Sequence, residues 1–575
     1  MNRRGRPPWP SWRSPLGAVL LLALLPRLVG LLWGLPASDG WDDDGIAPRD
    51  FLPGVIDTYA WGHHATYPPL QMILLALATL PIWTAALLRA PSLAPPALVA
   101  TFVQVPTMTA LTVVARAVTI AMSIGLVWNL ARIGETLRRS SRAGAWTAAS
   151  CAVCSVLTYY SQTSNLEVPY LFWGVLAVRH VVEAIAEREP RALRGALVFA
   201  ALAVCTKDQA YALFLLSVPL ALGGWLLLDP PARDKASAIG ANLAAGVAAG
   251  AAIVLLVDGA LFNPVGFAAR VRFLLGAASQ DHAMYAANAL GYAHVARDAV
   301  IAFGRAFPWT MAPLVVLGLA SAWRAPDRAL RAAGWVPVLV ALSFTLAFDM
   351  TARRTEDRFV LPQMLMCGVY AGLGCDALQT WLGPGRLGAL AGLLAVAFVP
   401  AIFRCAAVDA AMVLDPRYDA ERWLGTHVET GDRLEIYDNN VHLPRLPAGL
   451  AVERVDVTPP AARSPMPGVT EVRDRFSNVA ARDPRFVLVS QFWAYKYLVE
   501  PGVLADLGRA LSPQQQVARL DEDSVAYFHD LRDGRLGYRL VHVAAPATSF
   551  WPAVDIHASL DREIWIYERS GGARR

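Results

Sequence analysis

Apolar runs about as long as a bilayer core is thick recur through this chain up to residue 405 and then stop. A bilayer core of about 30 Å asks a helix for about 20 consecutive apolar residues, because lipid offers no partner for an unpaired backbone N–H or C=O. The whole chain is 55% hydrophobic and 17% charged over 575 residues, too apolar for a soluble protein of this length. The expected fold is a polytopic α-helical membrane protein. The net charge of +5 is small, and the basic residues sit in short loops rather than in a stripe with interleaved aromatics. That pattern excludes nucleic acid as a partner and leaves the lipid bilayer as the obligatory one.

Charge orients the spans. Arg3, Arg4, Arg6 and Arg13 precede the first apolar run, residues 16–35, which is long enough to cross rather than be cleaved as a signal peptide. Basic residues in short loops mark the cytoplasmic side, so the N-terminus is expected inside. The next basic loop, with Arg138, Arg139 and Arg142, is also expected inside. One helix over residues 107–131 leads into it from outside, so residues 36–106 form a first outer loop. The apolar residues 68–88 within that loop then read as a juxtamembrane helix or re-entrant hairpin. Further spans fall at 144–163, 167–187, 193–206, 209–228, 236–258, 308–323, 334–349, 359–380 and 387–405. About 11 transmembrane helices follow, with residues 1–408 as the membrane module and 409–575 as a C-terminal extracytoplasmic α/β domain.

The outer side collects the chemistry. Ser38-Asp39-Gly40-Trp41-Asp42-Asp43-Asp44-Gly45 follows the first span. Three consecutive aspartates repel one another and must be solvated, bind a cation, or accept a proton from a substrate hydroxyl. A wet acidic loop is the alternative. Thr66-Tyr67-Pro68-Pro69-Leu70 lies further along the same loop. A second outer turn, Asn165-Leu166-Glu167-Val168-Pro169-Tyr170, carries a carboxylate that the helix dipole favours, so capping competes with a site role. In the next, Thr206-Lys207-Asp208, the two charged groups either pair with each other or serve a site. Arg353, Arg354 and Arg358 stand on the side that ordinarily avoids arginine, where they suit a phosphate or a local ion-pair set with Glu356 and Asp357. Acidic groups to activate a hydroxyl and cations to hold a phosphate are the parts of glycosyl transfer from a lipid-phosphate donor.

On these motifs the chain resembles the GT-C membrane glycosyltransferases of the protein mannosyltransferase and aminoarabinose transferase type, over residues 15–405. The resemblance implies a catalytic carboxylate in the first outer loop. Asp44 is the best match, and Gly45 in place of the usual glutamate leaves Asp42 and Asp43 open. Tyr67 and Pro68 match the helix start that follows, and Glu167 stands where such proteins carry aspartate in an Asn-x-Asp-x-Pro turn. Tyr67, Pro68, Asn165, Glu167, Lys207, Asp208, Arg353, Arg354 and Arg358 are then the expected substrate-binding residues. The implied donor is a polyprenyl-phosphate sugar, transferred with inversion to a lipid, glycan or protein acceptor. A divalent cation stays open as a cofactor. The expected home is a bacterial cytoplasmic (inner) membrane.

Other features weigh less. The six cysteines, at 151, 154, 205, 367, 375 and 405, all fall in or beside apolar spans, so no disulfide framework is expected and Cys151-x-x-Cys154 reads as structural. His63-His64 lacks further ligands for a metal. Residues 259–305 read as an amphipathic helix over the site or as an interfacial connector. In the outer domain, residues 415–428 read as a helix and 433–437, 486–490 and 563–567 as strands, with Trp493, Tyr495 and Tyr497 as core or as sugar-stacking aromatics. The competing functions are a multi-pass lipid or glycolipid transporter or flippase, which should place charges at the bilayer midplane, and an inactive GT-C-like protein.

Overall fold

A computed structural model describes residues 11–42, 45–276, 281–460, 463–464, 466–498, 522–547, 560 and 562–570. The chain forms two compact units. One holds Met1–Leu31, Pro48–Pro81 and Val113–Ala406, and the other holds Leu32–Ala47, Ile82–Thr112 and Ala407–Arg575.

The helices carry the apolar runs. Among the described residues, seven are long and apolar enough to cross a membrane, or up to nine if each of two bent pairs is one span. Charge bookkeeping asks for about 11; the backbone divides or shortens some of the expected spans, while Leu361–Leu382 is one 22-residue helix that is long enough but less apolar than those seven. Residues 144–163 are split into Ser141–Ala152 and Ser155–Ser161, and residues 193–206 are the 14-residue helix Arg191–Val204. Residues 68–88, expected as a juxtamembrane helix or a re-entrant hairpin, hold two helices, Leu70–Ala78 and Leu80–Arg89, bent by 60°. Leu361–Leu382 packs closely on Ala312–Trp323, since a Cβ on Gly318 would overlap the Tyr370 carbonyl and one on Gly374 would overlap that of Leu314. Without a hydrophobic drive between helices in lipid, such close approach is what holds them together. Among the described residues, the connector over 259–305 contains two helices rather than one, Pro264–Leu275 and Ala289–Ala306.

The second unit holds a six-stranded sheet in the order β3-β2-β1-β4-β6-β5. Its strands are β1 (Arg433–Ile436), β2 (Ala451–Asp456), β3 (Val469–Arg473), β4 (Phe486–Ser490), β5 (Tyr538–Ala544) and β6 (Ile564–Arg569). β1 runs parallel to β2 with Arg433 opposite Ala451, and parallel to β4 with Leu434 opposite Phe486. β6 runs antiparallel to both β4 and β5. Alternation sorts the side chains. Leu434, Ile436, Phe486, Leu488, Ile564 and Ile566 share a core with Ala420 and Leu424 of helix Pro416–His427. Tyr437, Val487, Val489 and Tyr567 face the other way, onto Tyr527, Phe528 and Leu531 of helix Glu522–Arg532. A strand with a period of two and both faces covered becomes apolar throughout, and β4 is buried at every position.

Candidate active site at the helix ends

Helix Glu167–Ala186 starts from a tight turn whose Asn165 side chain accepts from the Glu167 N–H at 3.3 Å. Glu167 is fully buried and its Oε1 accepts from Lys207 Nζ. The N-terminal end of the helix and the lysine ammonium both present positive charge to that carboxylate. Lys207 lies past the end of helix Arg191–Val204, with its ammonium 5.8 Å from the Tyr170 ring centroid.

Lys207 has extended backbone, φ −153° and ψ 127°. Successive side chains on extended backbone point to opposite sides. Lys207 and Asp208 therefore do not pair with each other. Lys207 goes to Glu167, while Asp208 bonds Arg270, which also lies 3.5 Å from Asp258. The motif containing Tyr67 and Pro68 joins the same turn through its helix start, where the Leu70 N–H donates to the Cys205 carbonyl at 3.0 Å. Pro68 is buried and Tyr67 half-buried.

The arginine loop divides its members. The Arg353 carbonyl accepts from Met284 N and Tyr285 N, and the Arg354 guanidinium lies 5.1 Å from the Phe359 ring centroid. Arg358 is buried, with Nε 2.9 Å from Glu356 Oε2, which is the local ion pair that competed with the phosphate reading. The turn Asp208–Leu213, which carries Gln209, meets the turn Thr345–Asp349 where the Tyr211 hydroxyl donates to the Ala347 carbonyl at 2.9 Å.

A set of buried polar atoms without partners marks this place. Among the described residues, Asn165 Nδ2, Glu167 Oε2, the Tyr170 hydroxyl, Gln209 Nε2 and Asp349 Oδ1 have no hydrogen bond. Native interiors leave few such groups, and a cluster mixing donors with acceptors fits a ligand that offers both.

Asp349 and Gln209 were not among the residues the sequence nominated. Asp349 lies at the end of a π-helical turn, Thr345–Asp349, and its Oδ2 accepts from Gln363 Nε2 at 3.1 Å. An acid closing an apolar run just before a basic loop was the available signal. Asn263 was also missed. Its side chain caps helix Pro264–Leu275 at Gly266 N (3.0 Å) and accepts from Gly62 N (2.9 Å), while its Nδ2 reaches the carbonyls of Thr58, Ala60 and His63. Asn followed by Pro is a helix-start signal. Asn263→Ala should lower stability by about 2–4 kcal/mol, because it removes a cap and orphans buried carbonyls. A thermal melt in detergent that shows no fall would overturn this.

Asp42 belongs to the other compact unit, where it is buried and its carbonyl accepts from Gly45 N at 3.2 Å. Asp43 and Asp44 lie outside the described residues. The segment leading to Asp42 is fastened to the sheet unit. Trp33 Nε1 donates to Asp415 (3.0 Å), Trp41 Nε1 to the Leu443 carbonyl (3.0 Å), and Asn440 Nδ2 to Asp39 (2.8 Å). Arg417 lies 4.1 Å from the Trp41 ring centroid. Of the candidate stacking aromatics, Tyr497 is core, Trp493 carries the Lys496 ammonium 3.4 Å from its centroid, and Tyr495 is exposed. Burial holds the Lys496 amine below the ordinary lysine range. Among the described residues, no three His, Cys, Asp or Glu side chains converge as metal ligands.

No family model and no curated protein matches the sequence. Among solved structures, the chain is similar to ArnT from Cupriavidus metallidurans in the apo state, at 13% identity and a TM-score of 0.46, over 96% of this chain and 97% of that one. The same ArnT bound to undecaprenyl phosphate gives 14% identity and 0.44, over 96% and 97%. The oligosaccharyltransferase AglB from Archaeoglobus fulgidus, in complex with an inhibitory peptide and a dolichol-phosphate, gives 12% identity and 0.45, over 98% and 89%.

Proposed function

We propose that this chain is a GT-C type membrane glycosyltransferase that moves a sugar from a polyprenyl-phosphate donor to an acceptor on the extracytoplasmic side. The observation that carries the reading is the cluster of unpartnered donors and acceptors around Glu167 and Tyr170. Sugar hydroxyls both donate and accept, so one pyranose would satisfy Asn165, Glu167, Tyr170, Gln209 and Asp349 together. Lys207 and the arginines at 353, 354 and 358 supply cations for the phosphate. Also in support, an apolar cavity of about 380 Å³ includes Tyr211, four residues after Lys207, and continues along Phe214, Leu215 and Val218. Its lining suits an isoprenoid chain.

In the reaction the acceptor oxygen attacks the anomeric carbon as the carbon–phosphate oxygen bond breaks. A first-loop carboxylate, Asp44 or its neighbours Asp43 and Asp42, takes the acceptor proton. The lipid phosphate leaves as an anion held by the cations, and the anomeric configuration inverts. A phosphate leaving group needs no proton, so one base is enough.

Two experiments test this. Mass spectrometry of the mildly extracted protein should find a co-purifying polyprenyl-phosphate sugar that an Arg354→Ala, Arg358→Ala double variant loses. Its reproducible absence from preparations that keep other lipids would count against the donor. Separately, Asp42→Asn, Asp43→Asn and Asp44→Asn should include one variant whose transfer falls by about 100-fold or more, the range of a general base, with expression unchanged. Full activity in all three would remove the acidic run from the chemistry.

A further inference from the structure

A second cavity, of about 140 Å³, lies at the far end of the span Asp208–Leu228, where the next span, Lys235–Val257, begins. Its lining includes Arg188, Trp225, Asp229, Pro230 and Lys235. Arg188 stands in left-handed backbone, φ 54°, just past helix Glu167–Ala186. Its guanidinium is already committed, with Nε donating to Asp229 Oδ2 at 2.7 Å and Nη2 to Asp327 Oδ1 at 2.8 Å. The other Asp229 oxygen has no hydrogen bond among the described residues, and Lys235 makes no ion pair among them. Trp225 is 2% exposed, and its indole N–H has no acceptor among the described residues. A buried donor left unpaired in a native protein points to a missing acceptor.

We propose that this cavity binds the head group of a primary-amine zwitterionic phospholipid. Its ammonium donates to the free Asp229 oxygen, and its phosphate accepts from the Trp225 indole and the Lys235 ammonium. The charges choose this class. Arg188 bonds both Asp229 and Asp327, and Asp327 is shared with Arg139 at 3.0 Å, so the open carboxylate oxygen belongs to Asp229, which a purely anionic ligand would meet unfavourably. One open carboxylate oxygen beside one open ammonium instead complements an ammonium–phosphate pair. A quaternary amine has no N–H to donate, and a soluble phosphoethanolamine lacks the acyl chains that the neighbouring spans would solvate.

The test is native mass spectrometry of the full-length protein in detergent with an equimolar mixture of phosphatidylethanolamine, phosphatidylcholine and phosphatidylglycerol of identical chains. The wild type should retain phosphatidylethanolamine over each competitor by about fivefold to tenfold, the scale of one charge-assisted hydrogen bond. Trp225→Phe with Lys235→Ala should erase that preference, while leaving the Arg188, Asp229 and Asp327 pairs intact. Equal retention, a preference for phosphatidylglycerol, or a preference unchanged in the double variant would overturn the assignment. So would displacement of the bound lipid by millimolar phosphoethanolamine, which would make the ligand a soluble one. None of these outcomes depends on sugar transfer.

Discussion

Lys207→Met is expected to reduce sugar transfer by about 100-fold or more and to destabilise the protein by about 3–5 kcal/mol, because it strips the cation from a carboxylate buried in the helix bundle. Glu167 is fully buried with one oxygen on Lys207, so the variant leaves either an uncompensated charge or a carboxyl that must take up a proton. The informative partner is the double variant, Glu167→Gln with Lys207→Met. Replacing both members of a buried pair with groups of similar shape is often nearly neutral, so the melting temperature should return close to that of the wild type. Under the proposed function transfer should not return, since the cation assigned to the phosphate is gone and a neutral amide replaces the charged acceptor offered to a sugar hydroxyl. Rates from a lipid-phosphate sugar in proteoliposomes, with melts in one detergent, separate the two roles. Recovery of both stability and transfer in the double variant would reduce the pair to a helix clamp.

The other large effect is expected in the sheet unit. Glu435 is fully buried on β1, and its carboxylate takes Arg482 Nε at 2.8 Å and Nη2 at 2.8 Å. Arg482→Met should cost about 3–5 kcal/mol, because a buried carboxylate loses its bidentate partner. Glu435→Gln with Arg482→Met should recover most of that loss. Hydrogen exchange is the suitable readout. Backbone amides of β1 and of β4, which pairs with it, should lose protection in the single variant and regain it in the double. Unchanged protection in the single variant would mean that the strands are held by apolar packing alone.

Much of the architecture was legible in the sequence. The apolar runs located the long helices, and short alternating or wholly apolar segments located β1, β4 and β6, because burial imposes a pattern that composition records directly. The Asn263-Pro264 helix-start signal stood in the sequence but was passed over. Site legibility was uneven. Glu167, Lys207 and Arg358 were each identifiable as charges at the ends of apolar runs, where an ionised group is too costly to be idle.

Partnership was a different matter. Lys207 and Asp208 are neighbours in sequence and read either as a pair or as members of a site, and the extended backbone at 207 directs one to Glu167 and the other to Arg270. Asp349 joins the candidate site only because the π-helical turn that ends on it meets the turn that carries Gln209. Trp41 sits against Arg417, a contact between residues far apart in the chain with no periodicity to announce it. Local hydrophobic pattern and charge, which act along the chain, determined which residues would be helical, buried or placed at helix ends. Which of those charges would meet was decided by backbone direction at single residues and by packing between distant segments, and those forces act only once the tertiary structure exists.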